Sequence, residues 1–426
     1  MSRRTWILAA VVSAALVAGA VWWTRSARAP GEGEGGPTPS AAGAAATVDP
    51  AAGTSSTGTL PSALSPLSGT VGSPSTTAVS TTTTAAQPES AVREIALEGP
   101  PAVREAEISG MAWFSDTLVF LPQYPGRFGY DGKVVTTTNT GDGTLFGVRR
   151  ADVEAALNRD TPSVTPFAIP LAGAGFGDGE SRALDGFEGF EAIAFHERTA
   201  YVSIEVQNGD DMAAFVVRGT VDVDADGVPI GITIDAGAPA SVPLPVEIDN
   251  MSIESLVADA DGVTAIFEAN GSAVNPSPSG YRFTPDLQPA GDFAFPTIEY
   301  RVTDASEAAA DGSFWMTNYM FPGDAEALRP SADGIAERWG EGATHASFEQ
   351  VERIVRIERL PDSARFGSGY KLADEPPVQL ALLDAETSRN WEGLVTLGEA
   401  GFLVVTDKFP RTIFAFVAAP DQAETP

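Results

Sequence analysis

NMSIESLVADADGVTAIFE, residues 250–268, is the stretch of sequence that decides the fold. Apolar residues alternate with polar ones on both sides of a turn at Asp261, which is typical of a β-hairpin. Glu254 opens the first strand, and Glu268 closes the second strand 14 residues later. The hairpin is therefore marked by an acidic residue at each end, 14 positions apart.

The pattern recurs, with polar residues again about 14 positions apart. The further pairs are Ser109 and Gln123, Glu191 and Glu205, Asp304 and Asn318, and Glu392 and Asp407, of which the last is one residue longer. Five hairpins with polar ends at one spacing indicate an internal repeat. Because each of the first four hairpins is followed by two more strand patterns, the sequence predicts four-stranded units.

The repeat predicts an all-β fold, a five-bladed β-propeller of four-stranded blades over residues 92–420. The last blade has only one strand after its hairpin, so we expect Val92–Leu97 to supply the fourth strand and close the ring. A twisted sandwich is the alternative, but it does not explain the recurring polar positions. Helical patterns are weak, and the candidates are Arg150–Leu157 and part of 324–351.

Charge and composition exclude several classes of function. The chain has 426 residues and a formal net charge of -31, so we expect it to repel nucleic acid and to have no DNA or RNA partner. Such a surface could hold cations, and the alternative is that its carboxylates are simply solvated. The absence of Cys excludes disulfides, thiolate zinc sites and a Cys nucleophile. Only two His are present, which argues against a His-based metal cluster.

The N-terminal region predicts a membrane tether. Residues 1–28 contain an uncharged, mostly apolar run flanked by Arg, which predicts a signal anchor or transmembrane helix, with a cleaved signal peptide as the alternative. Residues 29–91 are rich in Ala, Gly, Ser, Thr and Pro and predict a disordered linker. Residues 421–426 predict a disordered tail. We therefore expect a propeller outside the cytoplasm, either held at the cell membrane by the N-terminal helix alone or secreted.

The repeated polar positions predict a metal site. In a propeller the first strand of each blade lines the axis, so the first members of the five pairs should form an axial ring: Ser109, Glu191, Glu254, Asp304 and Glu392. Carboxylates that converge in this way repel one another unless some are protonated or a cation lies among them. Oxygen ligands without His or Cys favour Ca²⁺. The alternative is that these carboxylates bind waters and backbone N–H groups.

The axial residues resemble those of the calcium-activated nucleotidases, the apyrases. The matching segments are Glu107–Met111, Phe190–Ala194, Ile253–Leu256 and Trp391–Leu394. This resemblance implies a five-bladed propeller with a central Ca²⁺ held by Ser and Glu side chains at the blade starts. Asp304 departs from it, because the family has a small hydroxyl residue there. The nucleotide-binding loops of that family are not recognisable in this chain.

A second resemblance is local. Asn390–Leu394, Gly401–Asp407 and Arg411–Phe416 are similar to the last blade of the secreted propellers described as having esterase-like activity of phytase. Ser109–Ala112 is similar to their first blade. Both resemblances imply a secreted acidic propeller, but they imply different chemistry.

The second members of the pairs predict a wider ring at the mouth of the axis. Glu205 and Glu268 are candidate catalytic residues that activate a water. The candidates for binding a small anionic ligand are Gln123, Asn318, Asp407, Arg127 and Lys408. The alternative for Lys408 and Arg411 is pairing with acidic residues of neighbouring blades. The sequence thus favours a Ca²⁺-dependent hydrolase of a phosphoester or similar anion. A binding or assembly propeller with a structural Ca²⁺ and a protein partner is the alternative.

Overall fold

The computed structural model describes residues 86–135, 142–173, 184, 186–209, 211–235, 237, 239–361 and 369–419. Most of the regular structure in these residues is β-strand, as the alternating sequence predicts. The helix Arg150–Leu157 forms where its pattern predicts one. The short helices Ala325–Leu328 and Gly334–Trp339 lie inside the predicted helical segment 324–351.

The predictions for residues 1–28, 29–85 and 421–426 lie outside the described residues. Across the part that is described, no helix combines the length and the apolar character that a membrane crossing requires.

The strands form antiparallel sets that follow one another along the chain. Set 1 consists of Ile108–Phe114, Thr117–Pro122, Gly143–Arg149 and Phe167–Ala172. Set 2 consists of Phe187–His196, Thr199–Asn208, Asp211–Val223 and Pro229–Ile234, and Ala240–Val242 also pairs with its third strand. Set 3 consists of Ile253–Asp259, Gly262–Phe267, Ser279–Phe283 and Pro289–Ala294.

Sets 4 and 5 take strands from both ends of the described chain. Set 4 consists of Phe314–Met320, Val351–Arg359, Tyr370–Leu372 and Val378–Leu380, with Glu89–Ser90 at its edge. Set 5 consists of Trp391–Thr396, Gly401–Thr406, Phe414–Ala418 and Val92–Leu97, with Ser163–Val164 at its edge.

The N-terminal strand Val92–Leu97 pairs antiparallel with Phe414–Ala418, which is the pairing that the sequence predicts. The strand Glu89–Ser90, by contrast, lies in the segment 29–91 that composition predicts to be a linker. It pairs in parallel with Val378–Leu380, and the backbone oxygen of Ser90 accepts a hydrogen bond from Ala381 N at 3.0 Å. Regular structure therefore begins before residue 92, because this polar segment can satisfy its backbone groups on an existing sheet edge.

The five sets pack face to face in chain order. The buried apolar side chains of the described residues fall into five clusters, and each cluster lies between two neighbouring sets: 1 and 2, 2 and 3, 3 and 4, 4 and 5, and 5 and 1. Sets 1 and 2 are also joined at their outer strands, where Leu171 pairs with Ile232. Each sheet thus buries both of its faces, which is a propeller-like arrangement.

Set 4 departs from the predicted repeat. Its first strand is expected to begin near Asp304, but this segment forms no regular strand and pairs only through the isolated bridges Arg301 to Tyr319 and Ala305 to Met316. Between these bridges the hydroxyl of Thr317 accepts a hydrogen bond from Asp304 N at 3.0 Å. This side chain takes the place of a backbone partner and interrupts the ladder.

Closure by the N-terminal strand can be tested with Ile95→Ala. Ile95 is 1% exposed and packs in the cluster between sets 5 and 1. Removing its side chain should lower the free energy of unfolding by about 2–4 kcal/mol in urea titrations, because the cavity is buried. The control is Glu94→Gln on the same strand, which loses only an exposed ion pair to Arg411 and should change stability by less than about 1 kcal/mol. Equal effects of the two changes would show that this strand does not close the fold.

Candidate functional site

A β-bulge recurs at the start of the hairpins, at the predicted axial residues. The strand register shifts between Ile108 and Gly110, between Phe190 and Ile193, between Ile253 and Ser255, and between Trp391 and Gly393. The residues inside these steps include Ser109, Glu191, Glu254 and Glu392. A bulge leaves one residue without a ladder partner and re-aims its side chain. Four of the five repeated positions in the sequence are therefore bulges, which spacing alone did not reveal.

The bulges change how the paired positions face one another. The spacing predicts that the two members of each pair lie roughly opposite on the hairpin. Instead Glu268 donates its N–H to Ser252 O at 3.0 Å, and Glu205 pairs with Gly189. The second member thus lies opposite the residue two positions before the first member. The turn register and the extra bulge residue together cause this offset.

Five carboxylates lie close together and almost fully buried. We call them the acid cluster: Glu191, Glu205, Glu254, Glu268 and Glu392, with exposures of 6%, 3%, 5%, 0% and 6%. Burial raises the pKa of each of these carboxyl groups, and the charge of at least one other member raises it further for Glu191, Glu205, Glu254 and Glu392. Such mutual repulsion in a dry site favours protonation or a bound cation.

The members differ in the charges that surround them. Burial and then Glu268 raise the pKa of Glu205 to about 8, while Arg301 opposes the shift. Burial raises the pKa of Glu268 to about 7, and the guanidinium of Arg301 limits the rise. The pKa of Glu254 is raised well above its usual range by burial and then by the other four members of the cluster. The ionised form of Glu254 is therefore unfavourable unless a cation lies beside it, and without a cation the protonated form is favoured.

Arg301 contacts the acid cluster and is not among the site residues that the sequence predicts. Its Nε donates to Glu268 Oε1, and its Nη1 lies 3.4 Å from Asp324 Oδ2. The guanidinium also lies 5.3 Å from the ring centroid of Tyr319. The available signal was a basic residue, in a chain with few of them, three positions before a predicted axial residue.

Two predicted axial residues bind the backbone of neighbouring strands. Ser109 donates to Phe190 O at 2.5 Å, which joins sets 1 and 2. Asp304 is 1% exposed and accepts from Ala305 N at 2.8 Å and from Leu394 N at 2.7 Å, which joins sets 4 and 5. Ser109 and Asp304 thus follow the alternative interpretation, in which the axial side chains form hydrogen bonds with backbone groups.

The second members of the pairs, which are predicted to form a wider ring, differ in their contacts. Gln123 donates to Glu191 Oε1 at 3.2 Å and so belongs beside the acid cluster. Asn318 is fully buried, donates to Arg301 O at 2.9 Å and accepts from Arg353 Nε at 2.7 Å. Asp407 accepts from Phe409 N at 2.7 Å, and its charge raises the pKa of Glu392 after the effect of burial.

The predicted cationic residues at the mouth are paired with carboxylates. Arg127 Nη1 lies 2.8 Å from Glu107 Oε1, and Lys408 Nζ lies 3.0 Å from Glu107 Oε2. Arg411 pairs with Glu94 at 2.5 Å. The alternative, pairing with acidic residues of neighbouring blades, describes Lys408, whose partner Glu107 precedes the first strand of set 1. Arg411 instead pairs within set 5, because Glu94 lies on the strand Val92–Leu97. Arg127 and Lys408 nevertheless lie close together, because both contact the carboxylate of Glu107.

The donor set of the acid cluster suits a hard cation, because it consists of carboxylate oxygens without a His. Glu268 Oε2 is buried and has no hydrogen-bond partner, so this oxygen is free to accept one. Among the described residues, no three Asp, Glu, His or Cys side chains converge closely enough to hold a metal ion as they stand. A cation in this cluster therefore requires Glu side chains to rotate towards it.

No protein-family model matches this chain, and no curated protein matches it. Solved structures match it over most of its length. The α-L-arabinanase of Cellvibrio cellulosa with arabinohexaose is 11% identical, covers 74% of this chain and 92% of its own, and has a TM-score of 0.37. A glycosyl hydrolase of Bacteroides ovatus is 9% identical, covers 74% and 84%, and has a TM-score of 0.38.

A protein of another class matches equally long stretches. The PQQ-bound aldose sugar dehydrogenase of Streptomyces coelicolor is 12% identical, covers 78% of this chain and 99% of its own, and has a TM-score of 0.29. At these identities and scores the three structures assign neither chemistry nor substrate to this chain.

The acid cluster predicts an unusual dependence of stability on pH. Glu205 and Glu268 have folded pKa values of about 8 and about 7, both above the ordinary value of 4.5. A carboxyl group with a raised pKa in the folded state contributes its full stabilisation at pH values below its ordinary pKa. This contribution to the free energy of unfolding is lost as the pH rises through the pKa of the folded state. In chelator, the melting temperature should fall by at least about 2 °C between pH 5 and pH 8.5. Glu205→Gln should reduce that fall, and an unchanged slope in this variant would contradict the assignment.

Proposed function

We propose that this protein is a five-bladed β-propeller whose acid cluster binds Ca²⁺ and which hydrolyses a phosphoester or similar anionic ester. Five antiparallel sets with five clusters of apolar side chains between them, in cyclic order, support the number of blades. Each set is one blade in this proposal, and the recurring bulges turn polar side chains from successive blades towards one axis.

We place the propeller outside the cytoplasm, on the membrane tether that residues 1–91 predict. The apolar run in residues 1–28 is long enough to cross a bilayer core, and the following segment has the composition of a linker. The resemblances to the secreted apyrases and to the esterase-like phytase propellers support the same location. A strongly acidic surface is consistent with a compartment in which Ca²⁺ is abundant.

In the proposed site Ca²⁺ is held by Glu191, Glu254 and Glu392. These three carboxylates lie at the bulges of sets 2, 3 and 5. After the larger effect of burial, the charges of Glu191 and Glu392 raise the pKa of Glu254, and the charge of Glu191 raises the pKa of Glu392. Glu254 is central, because the charges that most affect it are all negative. When bound, the ion would neutralise these carboxylates and polarise the ester of a substrate.

The observation that carries the enzymatic proposal is the pair Glu205 and Glu268 beside Arg301. A general base works best when its pKa lies near the working pH, and the pKa of Glu268 is about 7. As water attacks the ester, ionised Glu268 accepts its proton through Oε2, which has no partner in the fold. The ester oxygen leaves as an alcohol after receiving a proton from neutral Glu205, whose pKa is about 8. Before Ca²⁺ binds, Arg301 keeps Glu268 ionised, and the positive charge of the bound ion would do so afterwards.

A binding or assembly propeller is the second candidate, and burial favours it. Each residue of the acid cluster is at most 6% exposed, and Arg127 and Lys408 at the mouth already pair with Glu107. In this proposal Ca²⁺ only holds the blades together, and the protein partner binds elsewhere.

The metal site is tested by Glu254→Gln. Titration calorimetry of the purified protein should detect Ca²⁺ binding, and this variant should bind Ca²⁺ at least about tenfold more weakly, because one charged ligand is lost. Chelator should lower the melting temperature of the native protein and have little effect on the variant. The control is Glu154→Gln, an exposed position on the helix Arg150–Leu157, which should bind like the native protein. Absence of calcium binding in the native protein would overturn the site.

The activity is tested with Glu268→Gln. The native protein should hydrolyse one of three probes, a nucleoside triphosphate, phytate or a chromogenic ester, in the presence of Ca²⁺. The variant should lose at least about 100-fold in kcat, because a positioned general base contributes roughly that much. Its calcium affinity should be retained within a few-fold. Turnover of none of the probes, together with a calcium-dependent melting temperature, would leave the binding propeller as the function.

A further inference from the structure

Arg301 lies between two carboxylates that belong to different parts of the fold. Glu268 directly follows the second strand of set 3 and is fully buried in the acid cluster. Asp324 lies in the first turn of the insertion 321–350, which connects the first two long strands of set 4. The guanidinium reaches both, through Nε to Glu268 Oε1 and through Nη1 to Asp324 Oδ2. One side chain therefore links the centre of the fold to a surface insertion.

The contacts of Glu268 are unequal. Oε1 accepts from Arg301, whereas Oε2 is buried without any hydrogen-bond partner. A buried carboxylate oxygen without a partner carries a desolvation cost that a bound cation would remove. Glu268 also faces the other acidic side chains, since its charge raises the pKa of Glu191, Glu254 and Glu392 after the larger effect of burial. The free oxygen thus belongs to the acid cluster.

Asp324 offers the guanidinium a second partner at the surface. Its side chain is 22% exposed, and that of Arg301 is 13% exposed, so the pair lies between the cluster and the solvent. The backbone of Arg301 is held by Tyr319, with both N–H to O distances at 3.1 Å, so the backbone is fixed while the long side chain can turn. Moving the guanidinium from Glu268 to Asp324 changes only side-chain torsions.

We propose that Arg301 is a tethered counter-ion of the acid cluster that competes with Ca²⁺ bound by Glu191, Glu254 and Glu392, and that it moves from Glu268 onto Asp324 when Ca²⁺ binds. The proposal rests on the calcium site of the proposed function. Two positive charges within one buried cluster of carboxylates repel each other, so the incoming ion displaces the guanidinium. Because Asp324 lies in the insertion 321–350, calcium binding is then coupled to the order of that insertion.

The first test is Arg301→Gln, which removes the internal competitor. We expect titration calorimetry to show calcium binding at least about tenfold tighter than in the native protein, because the ion no longer displaces a guanidinium. The matched control is Arg356→Gln, an Arg on the second strand of set 4 whose ion pairs with Asp311 and Glu375 lie at the surface. This control should leave calcium affinity within about twofold. Unchanged or weaker binding in Arg301→Gln would overturn the proposal.

The second test is Asp324→Asn, which removes the alternative partner of Arg301. Calcium binding should weaken at least about threefold, because the displaced guanidinium has no carboxylate to receive it. The control is Glu326→Gln, which removes a charge from an exposed residue of the same turn. The double variant Arg301→Gln, Asp324→Asn should bind as tightly as Arg301→Gln alone. If the effects of the two single variants on calcium affinity add in the double variant, the two charges act on Ca²⁺ independently. That result would overturn the proposal that Arg301 moves onto Asp324.

Hydrogen exchange gives a readout independent of affinity and activity. In the native protein, Ca²⁺ should increase protection of the amides of Ala325–Leu328, because Asp324 gains a full ion pair. This change should be absent in Arg301→Gln and in Asp324→Asn. If the native protein binds no Ca²⁺, the proposed calcium site itself fails. If it binds Ca²⁺ but the exchange of this helix does not change, the site stands and the coupling through Arg301 fails.

Discussion

The structure depends on the burial of five carboxylates with one guanidinium in contact with them. Water cannot screen these charges, so each carboxyl group either holds a proton or shares a cation. The cluster cannot stabilise the fold by itself, because burying like charges costs free energy. Other interactions must hold it in place, and the site is therefore a property of the whole ring of sheets rather than of one strand.

The apolar interfaces between the sheets supply that stability. Each interface buries aliphatic and aromatic side chains from two neighbouring sets, at roughly 1.5–3 kcal/mol for each large side chain. Polar contacts then fix how the inner strands meet. Ser109 donates to the backbone of set 2, and Asp304 accepts from the backbone of set 5. Ser109 and Asp304 are first members of the repeated pairs, as Glu191, Glu254 and Glu392 are. Their side chains nevertheless join neighbouring sheets instead of facing other acidic side chains.

The difference between the members of the repeat follows from backbone geometry. Where the first strand carries a bulge at a Glu, the side chain turns into the cluster. In set 4 the strand is interrupted, and the carboxylate of Asp304 accepts from Ala305 N in its own segment and from Leu394 N in set 5. The spacing of polar residues predicts both positions equally well, since a bulge and an interrupted strand have no distinct signature in a single sequence.

The sequence by itself determined the β architecture, four of the five predicted hairpins, the helix Arg150–Leu157 and the pairing of Val92–Leu97 with the last strand, because alternation and spacing are local or periodic properties. It also identified the acidic residues that meet in the cluster. Only the tertiary structure decided which of them face one another, that Arg301 lies among them, and that Arg127 and Lys408 are paired with Glu107. These contacts join residues far apart in the chain, and their geometry depends on bulges and on sheet packing that spacing does not encode.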